Sequence, residues 1–219
     1  MKLGVLGGTF DPIHLGHIDA ADAAQHALSL ESMVLIPSRI PPHRADPVSA
    51  PAEDRLAMAA LAAADRPGWS ASRIELDREG PSYTYDTLTQ LQGPALSERD
   101  APQTGAAHES KGTQIFFITG ADAFAEIATW SRFPAVLDLA NFVVVSRPGI
   151  TLDSLRERVP SAFDRHSPAN TRVILVEART PDVSSTDIRR RVRAGESLSG
   201  LVPPAVADYI RMHRLYLGH

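Results

Sequence analysis

GVLGGTFDPIHLGH, residues Gly4 to His17, sets a short apolar run directly against three glycines and two histidines. The run Leu3–Leu6 suits a buried strand, and Gly7 and Gly8 follow it at once, where a missing Cβ lets backbone amides approach a ligand. Gly16 and His17 then open the pattern HIDAADAAQHAL, in which Ile18, Ala21, Ala24 and Leu28 form one stripe at spacings of three and four. Strand, glycine turn and helix start, in that order, read as the first unit of a parallel α/β sheet. In such sheets ligands sit outside the carboxyl ends of the strands, where the strand order reverses. The helix start offers unpaired N–H groups and a partial positive charge. His14 and His17 are three apart on its first turn, so both imidazoles are expected to face one crevice. Together these features predict an anion site suited to phosphate. The stretch is neither G-x-G-x-x-G nor G-x-x-x-x-G-K-[ST], which argues against a dehydrogenase or a P-loop kinase.

The same alternation continues along the chain. Strand-like runs are expected at Leu3–Leu6, Met33–Ile36, Ala71–Leu76, Gln114–Thr119, Asn141–Ser146 and Arg172–Val176. IFFIT and FVVVS are apolar on both faces, as strands covered by helices on two sides must be. Helical patterns fall between them. PAEDRLAMAALAAA begins with Pro51 in its first turn and places Leu56, Ala59, Ala60 and Leu61 together. Later candidates are Tyr85–Leu91, Ala121–Ala128, Leu152–Arg158, Thr186–Arg193 and Pro203–His213. The expected fold is an α/β, Rossmann-like, doubly wound parallel sheet of five to six strands with helices on both faces. No repeat or hinge-like linker divides it, so residues 1–219 read as one domain.

Two stretches break the rhythm. SRIPPHRADPVSAP is proline-rich, predicts an extended loop, and carries His43 and Arg44. GPALSERDAPQTGAAHESKGT has almost no large apolar residue and reads as a mobile surface insertion over 93–112.

Composition bounds the function. The chain has 219 residues, 43% apolar and 22% charged, with a net charge of -4 and no cysteine. That size buries a substantial core, and the acidic balance gives no reason to expect nucleic acid or an anionic membrane as partner. Without cysteine there is no disulfide, thiolate nucleophile or cysteine metal site, which points to the cytoplasm. Nothing approaches the roughly 20 apolar residues of a membrane-spanning helix. No self-complementary apolar stripe stands out, so a homo-oligomer stays open.

A second phosphate-binding signal lies near the other end of the chain. In VSSTDIRRR, Ser185 or Thr186 can cap the helix that runs to Arg193, leaving amides for an anion. Arg189, one turn on, offers a forked guanidinium to the same anion. Arg190, Arg191 and Arg193 read as an exposed charged face.

Both signals carry a resemblance. GGTFDPIHLGH resembles the signature of the nucleotidyltransferase superfamily with the (T/H)-x-G-H motif, here His14-Leu15-Gly16-His17, and VSSTDIRRR resembles its I-S-S-T-x-I-R signature. Three further stretches resemble the nicotinate-nucleotide adenylyltransferases within that superfamily: IPSRIPPHR, GPSYTYDTL and GADAFAEIATW, each following a strand at the binding edge. The resemblance implies adenylyl transfer from ATP to nicotinate mononucleotide, with Mg²⁺ travelling on the ATP. It implies an ATP site of Gly7, Gly8, Thr9, Phe10, His14, Gly16, His17, Gly120, Asp122, Ser185, Thr186 and Arg189. It likewise implies an acceptor site of Tyr83, Thr84, Asp122, Trp130, His43 and Arg44, with Trp130 on the pyridine ring and the Thr84 amide on the carboxylate. His14, His17, Arg44 and Arg189 would be the catalytic set. Ser131 stands where some members carry an aromatic residue. Pantetheine phosphate as acceptor, or a nucleotide-binding module without chemistry, are the alternatives.

Overall fold

The computed structural model describes residues 1–42, 48–93, 112–146, 150–163, 173–178 and 181–217. His43, Arg44 and all but the ends of the 93–112 insertion lie outside those ranges.

Six strands form one parallel sheet: β1 (Lys2–Gly8), β2 (Ser32–Pro37), β3 (Trp69–Ala71), β4 (Gln114–Gly120), β5 (Asn141–Ser146) and β6 (Val173–Glu177). Their order is β3-β2-β1-β4-β5-β6, so β1 pairs with β2 on one side and β4 on the other. The strand order therefore reverses between β1 and β4, and a crevice opens at their carboxyl ends.

The strand period of two sorts the apolar residues onto two faces. Leu6, Met33, Leu35, Phe116, Ile118 and Val143 point to one side. Ile18 and Ala21 of α1 (Leu15–Leu28), Met58 of α2 (Ala52–Ala64), Ile188 of α6 (Ser185–Ala194) and Val206 of α7 (Pro204–Met212) cover them. Leu3, Val5, Val34, Ile36, Ile115 and Phe117 point to the other. They meet Leu88 of α3 (Thr84–Gln92), Phe124 of α4 (Ala121–Ala125) and Leu155 of α5 (Leu152–Arg158). A sheet buried on both faces explains why its central strands are continuously apolar.

Two local expectations need correction. The third strand is Trp69–Ala71, not Ala71–Leu76. The Ser72 hydroxyl accepts the Ile74 amide at 3.2 Å, and the Leu76 amide bonds Arg73 O at 2.8 Å, so the chain turns there. Ile74 and Leu76 are buried all the same. On α2 the inward face is Arg55, Met58, Ala59, Ala62 and Ala63, while Ala60 is exposed and Pro51 is the cap rather than part of the first turn.

Candidate active site

A cavity of about 430 Å³ occupies the crevice between β1 and β4. Gly7 and Gly8 line it at the end of β1 and Thr9 just beyond, and Phe117 to Gly120 line it at the end of β4. Pro41 and Pro42 close one side, Tyr83 and Thr84 at the start of α3 another, and Trp130 and Ser131 the rim. His17 reaches it from the first turn of α1.

The two histidines are not equivalent. His14 is the extended N-cap of α1, and its amide donates to His17 Nδ1 at 3.2 Å. An accepting Nδ1 is unprotonated, which fixes His17 as the neutral Nε2–H tautomer. The rings stack with centroids 3.6 Å apart, and the Phe10 ring meets His17 edge-on at 5.2 Å. Burial lowers the His14 pKa to about 4. Burial and the neighbouring His14 hold His17 well below the ordinary histidine range. The rings stay neutral chiefly because burial leaves a charge on either poorly solvated, and for His17 a charge on His14 would add repulsion. His14 itself does not line the cavity; its Nδ1 is buried without a hydrogen-bond partner. Gly16 leaves it room, for a Cβ there would come within 3.1 Å of His14 Nδ1 and 3.2 Å of Val183 Cγ1. Phe10 also falls short of the cavity, being packed at φ 50° beneath Gly8, where a Cβ would lie 2.9 Å from its ring.

The second signal docks onto the first. Ser185 Oγ donates to Pro12 O at 3.0 Å, and Arg189 Nη1 donates to Asp11 O at 2.7 Å. Arg189 Nη2 bonds Thr186 Oγ1 at 3.1 Å, and the Asp11 carboxylate lies 3.8 Å from Nη1. These bonds bring the start of α6 against the loop between β1 and α1. The cap is neither Ser185 nor Thr186 but Ser184, whose hydroxyl accepts the Asp187 amide at 3.1 Å. Ser185 is released from capping because its hydroxyl ties the helix to Pro12. Ser185, Thr186 and Arg189 do not line the cavity; Ser185 and Arg189 are bonded to the loop that follows its lining residue Thr9. Arg190 and Arg191 pair with Asp187 and Glu196 on the outer face.

On the acceptor side, Tyr83 is the cap of α3 and Thr84 its first residue, so the free amides of that helix start border the cavity. Trp130 follows a 3₁₀ turn (Ile127–Thr129), half-buried, with Phe117 edge-on at 6.0 Å. Gly120 lines the cavity, while Asp122 is exposed on the first turn of α4, next to the lining residue Ala123.

Three buried charges escaped the sequence reading. Arg55, 2% exposed, donates to Thr9 O at 2.7 Å, Ser38 O at 2.6 Å and Ala50 O at 3.2 Å. It thereby ties the loops after β1 and β2 together beneath the cavity. Asp11 receives the Ser49 and Ala50 amides at 2.8 and 3.0 Å and fastens the far end of the proline-rich loop. Glu75, 7% exposed, lies in the cavity wall. A charge on an amphipathic pattern is read as outward, so Arg55 and Glu75 gave no signal.

A switch-point crevice lined by glycines, a helix-start histidine and a half-buried tryptophan is the place where parallel α/β proteins of this strand order bind nucleotides. A protein-family model described as cytidylyltransferase-like matches residues 5–191. A "Probable nicotinate-nucleotide adenylyltransferase" of Roseiflexus sp. (strain RS-1) is 41% identical over 98% of this chain and 97% of its own length. One of the same name from Moorella thermoacetica is 39% identical over 98% and 91%. The chain belongs to the cytidylyltransferase-like family and, within it, to the nicotinate-nucleotide adenylyltransferases. A Plasmodium falciparum nicotinic acid mononucleotide adenylyltransferase complexed with NaAD has the same fold, with a TM-score of 0.69 at 15% identity. That match covers 98% of this chain and 97% of the other.

Proposed function

We infer that the chain transfers the adenylyl group of ATP to nicotinate mononucleotide, giving nicotinate adenine dinucleotide and pyrophosphate. One observation carries the mechanism: Ser185 and Arg189 of α6 are hydrogen-bonded to the loop that leads into His14 and His17. Two helix starts therefore stand on either side of one loop, beside a cavity holding an aromatic platform.

In the reaction a phosphate oxygen of the mononucleotide attacks the α-phosphorus of ATP in line. The bond from that phosphorus to the bridging α–β oxygen breaks, and its electron pair leaves with pyrophosphate. The acceptor phosphate is already a nucleophile, so the protein contributes positioning and charge stabilisation. His17 would donate Nε2–H to the α-phosphate, and Gly7, Gly8 and the Gly16 amide would receive its oxygens, the Leu15 and His17 amides being bonded to Leu201 O and His14 O. Ser185, Thr186 and Arg189, with Arg44 from the proline-rich loop, would hold the departing phosphates. Trp130 would carry the pyridine ring and the Thr84 amide its carboxylate. His14 would act behind His17, keeping its ring in place. ATP enters as its Mg²⁺ complex, the ion held by phosphate oxygens and water. Among the described residues no group of three His, Asp or Glu side chains is placed to hold a metal alone. The absence of cysteine favours the cytoplasm as its location.

Incubation with Mg-ATP and a panel of mononucleotides and pantetheine phosphate tests this by pyrophosphate release. Release with nicotinate mononucleotide above all other acceptors is expected. Preference for pantetheine phosphate, or no release with any acceptor, would overturn it.

A further inference from the structure

Glu75 sits in the turn after β3, in the wall of the same cavity as Tyr83 and Thr84. A carboxylate is costly there, because it has lost most of its water and the acceptor brings a carboxylate and a phosphate of its own. Burial pushes the Glu75 carboxyl above its ordinary range, while hydrogen bonds from Thr87 and Ser82 and the charge of Arg78 pull it back. Those bonds form a directed chain. Thr87 Oγ1 donates to Glu75 Oε1 at 2.6 Å and accepts from Arg78 Nη2 at 2.9 Å. A hydroxyl carries one hydrogen, and the carboxylate at 2.6 Å takes it in preference to Tyr83 O at 3.3 Å. The Ser82 oxygen accepts the Arg39 amide at 2.8 Å, and Ser82 lines the same cavity wall as Glu75.

Ser82 immediately precedes the cap of α3, and Thr87 lies one turn inside the helix. Tyr83 and Thr84 stand between them. We propose that Glu75 is the positioning residue of the acceptor slot. By holding Thr87, one turn inside α3, it aims the helix-start amides at the acceptor's carboxylate. The negative charge of Glu75 is answered within the wall by Arg78 through Thr87, so the slot still admits an anion. This assignment rests on the nicotinate mononucleotide reading above.

Steady-state kinetics of Glu75→Leu, Glu75→Gln and Thr87→Val test it. Leu removes the acceptor oxygens, Gln keeps one for Thr87, and Val removes the Thr87 hydroxyl at constant shape. Glu75→Leu and Thr87→Val should raise KM for nicotinate mononucleotide about tenfold, the size of one lost charge-assisted hydrogen bond. KM for ATP should stay within about twofold, since the triphosphate is held by other elements. Glu75→Gln should recover most of the acceptor affinity. A purely structural Glu75 would instead lower kcat with both KM values unchanged, or raise both alike, and either result overturns the proposal. If Glu75→Leu does not fold, an unchanged acceptor KM in Thr87→Val overturns it equally. Wild-type enzyme that is inactive on nicotinate mononucleotide overturns the function and this assignment together. Wild-type activity with an unaffected Glu75→Leu variant overturns only the assignment.

Discussion

His17 presents one hydrogen to the cavity, because its other ring nitrogen accepts the His14 amide at 3.2 Å. That division of labour makes the two nitrogens separable by substitution. In His17→Asn the side-chain oxygen takes the place of Nδ1 and keeps the bond to the helix cap, but the Nε2–H donor is gone. Loss of one preorganised donor to a reacting phosphate costs about 10²–10³-fold in kcat, and we expect that loss with the circular dichroism spectrum unchanged. The stacked partner ring makes a pH prediction. His14 is neutral in the folded protein, with its pKa lowered to about 4 from the ordinary 6.5. As pH falls below 6.5 the unfolded chain takes up a proton that the folded chain refuses until about 4, so stability is lost across that window. His14→Asn removes this contribution. Urea unfolding at pH 7 and pH 5 should show wild type losing about 1–2 kcal/mol more than the variant over that interval.

Arg55 shows at the scale of an element why apolar spacing misplaced the inner face of α2. The periodicity of Leu56, Ala59, Ala60 and Leu61 points one way, but the helix turns Arg55 inward, where it donates to three loop carbonyls. Arg55→Met keeps the apolar stem and strands those carbonyls. We expect about 3 kcal/mol or more of destabilisation, read from the urea midpoint at constant slope. The same lesson holds for the third strand, where the alternation of Ile74 and Leu76 signals burial but not extension. Strands with both faces covered were legible from their unbroken apolar runs, and the helices between them from their turn residues, although the caps of α2 and α6 were not. Of the candidate site, His17 was legible from the turn chemistry that opens the first helix, while Thr84 and Trp130 were marked by the resemblance of GPSYTYDTL and GADAFAEIATW to family segments. Arg55 and Glu75 were not, since a buried charge is defined by partners distant in sequence. The cap of α6 was misplaced by one residue for a related reason: the bond that occupies Ser185 comes from Pro12, at the other end of the chain.

Across the whole molecule, the sheet order puts β1 and β4 side by side while sending the chain through four further strands. That order returns α6 to the loop it must meet, 178 residues from Asp11 to Arg189. The central claim is that this meeting point grips one triphosphate next to a slot for a pyridine ring. A crystal structure with nicotinate mononucleotide and a non-hydrolysable Mg-ATP analogue tests it most directly. The α-phosphate should lie about 3 Å from His17 Nε2, the outer phosphates against the first turn of α6 and Arg189, and the pyridine ring on Trp130. A triphosphate bound away from α6, with Arg189 still turned to Asp11 O and no phosphate beside it, would contradict the account.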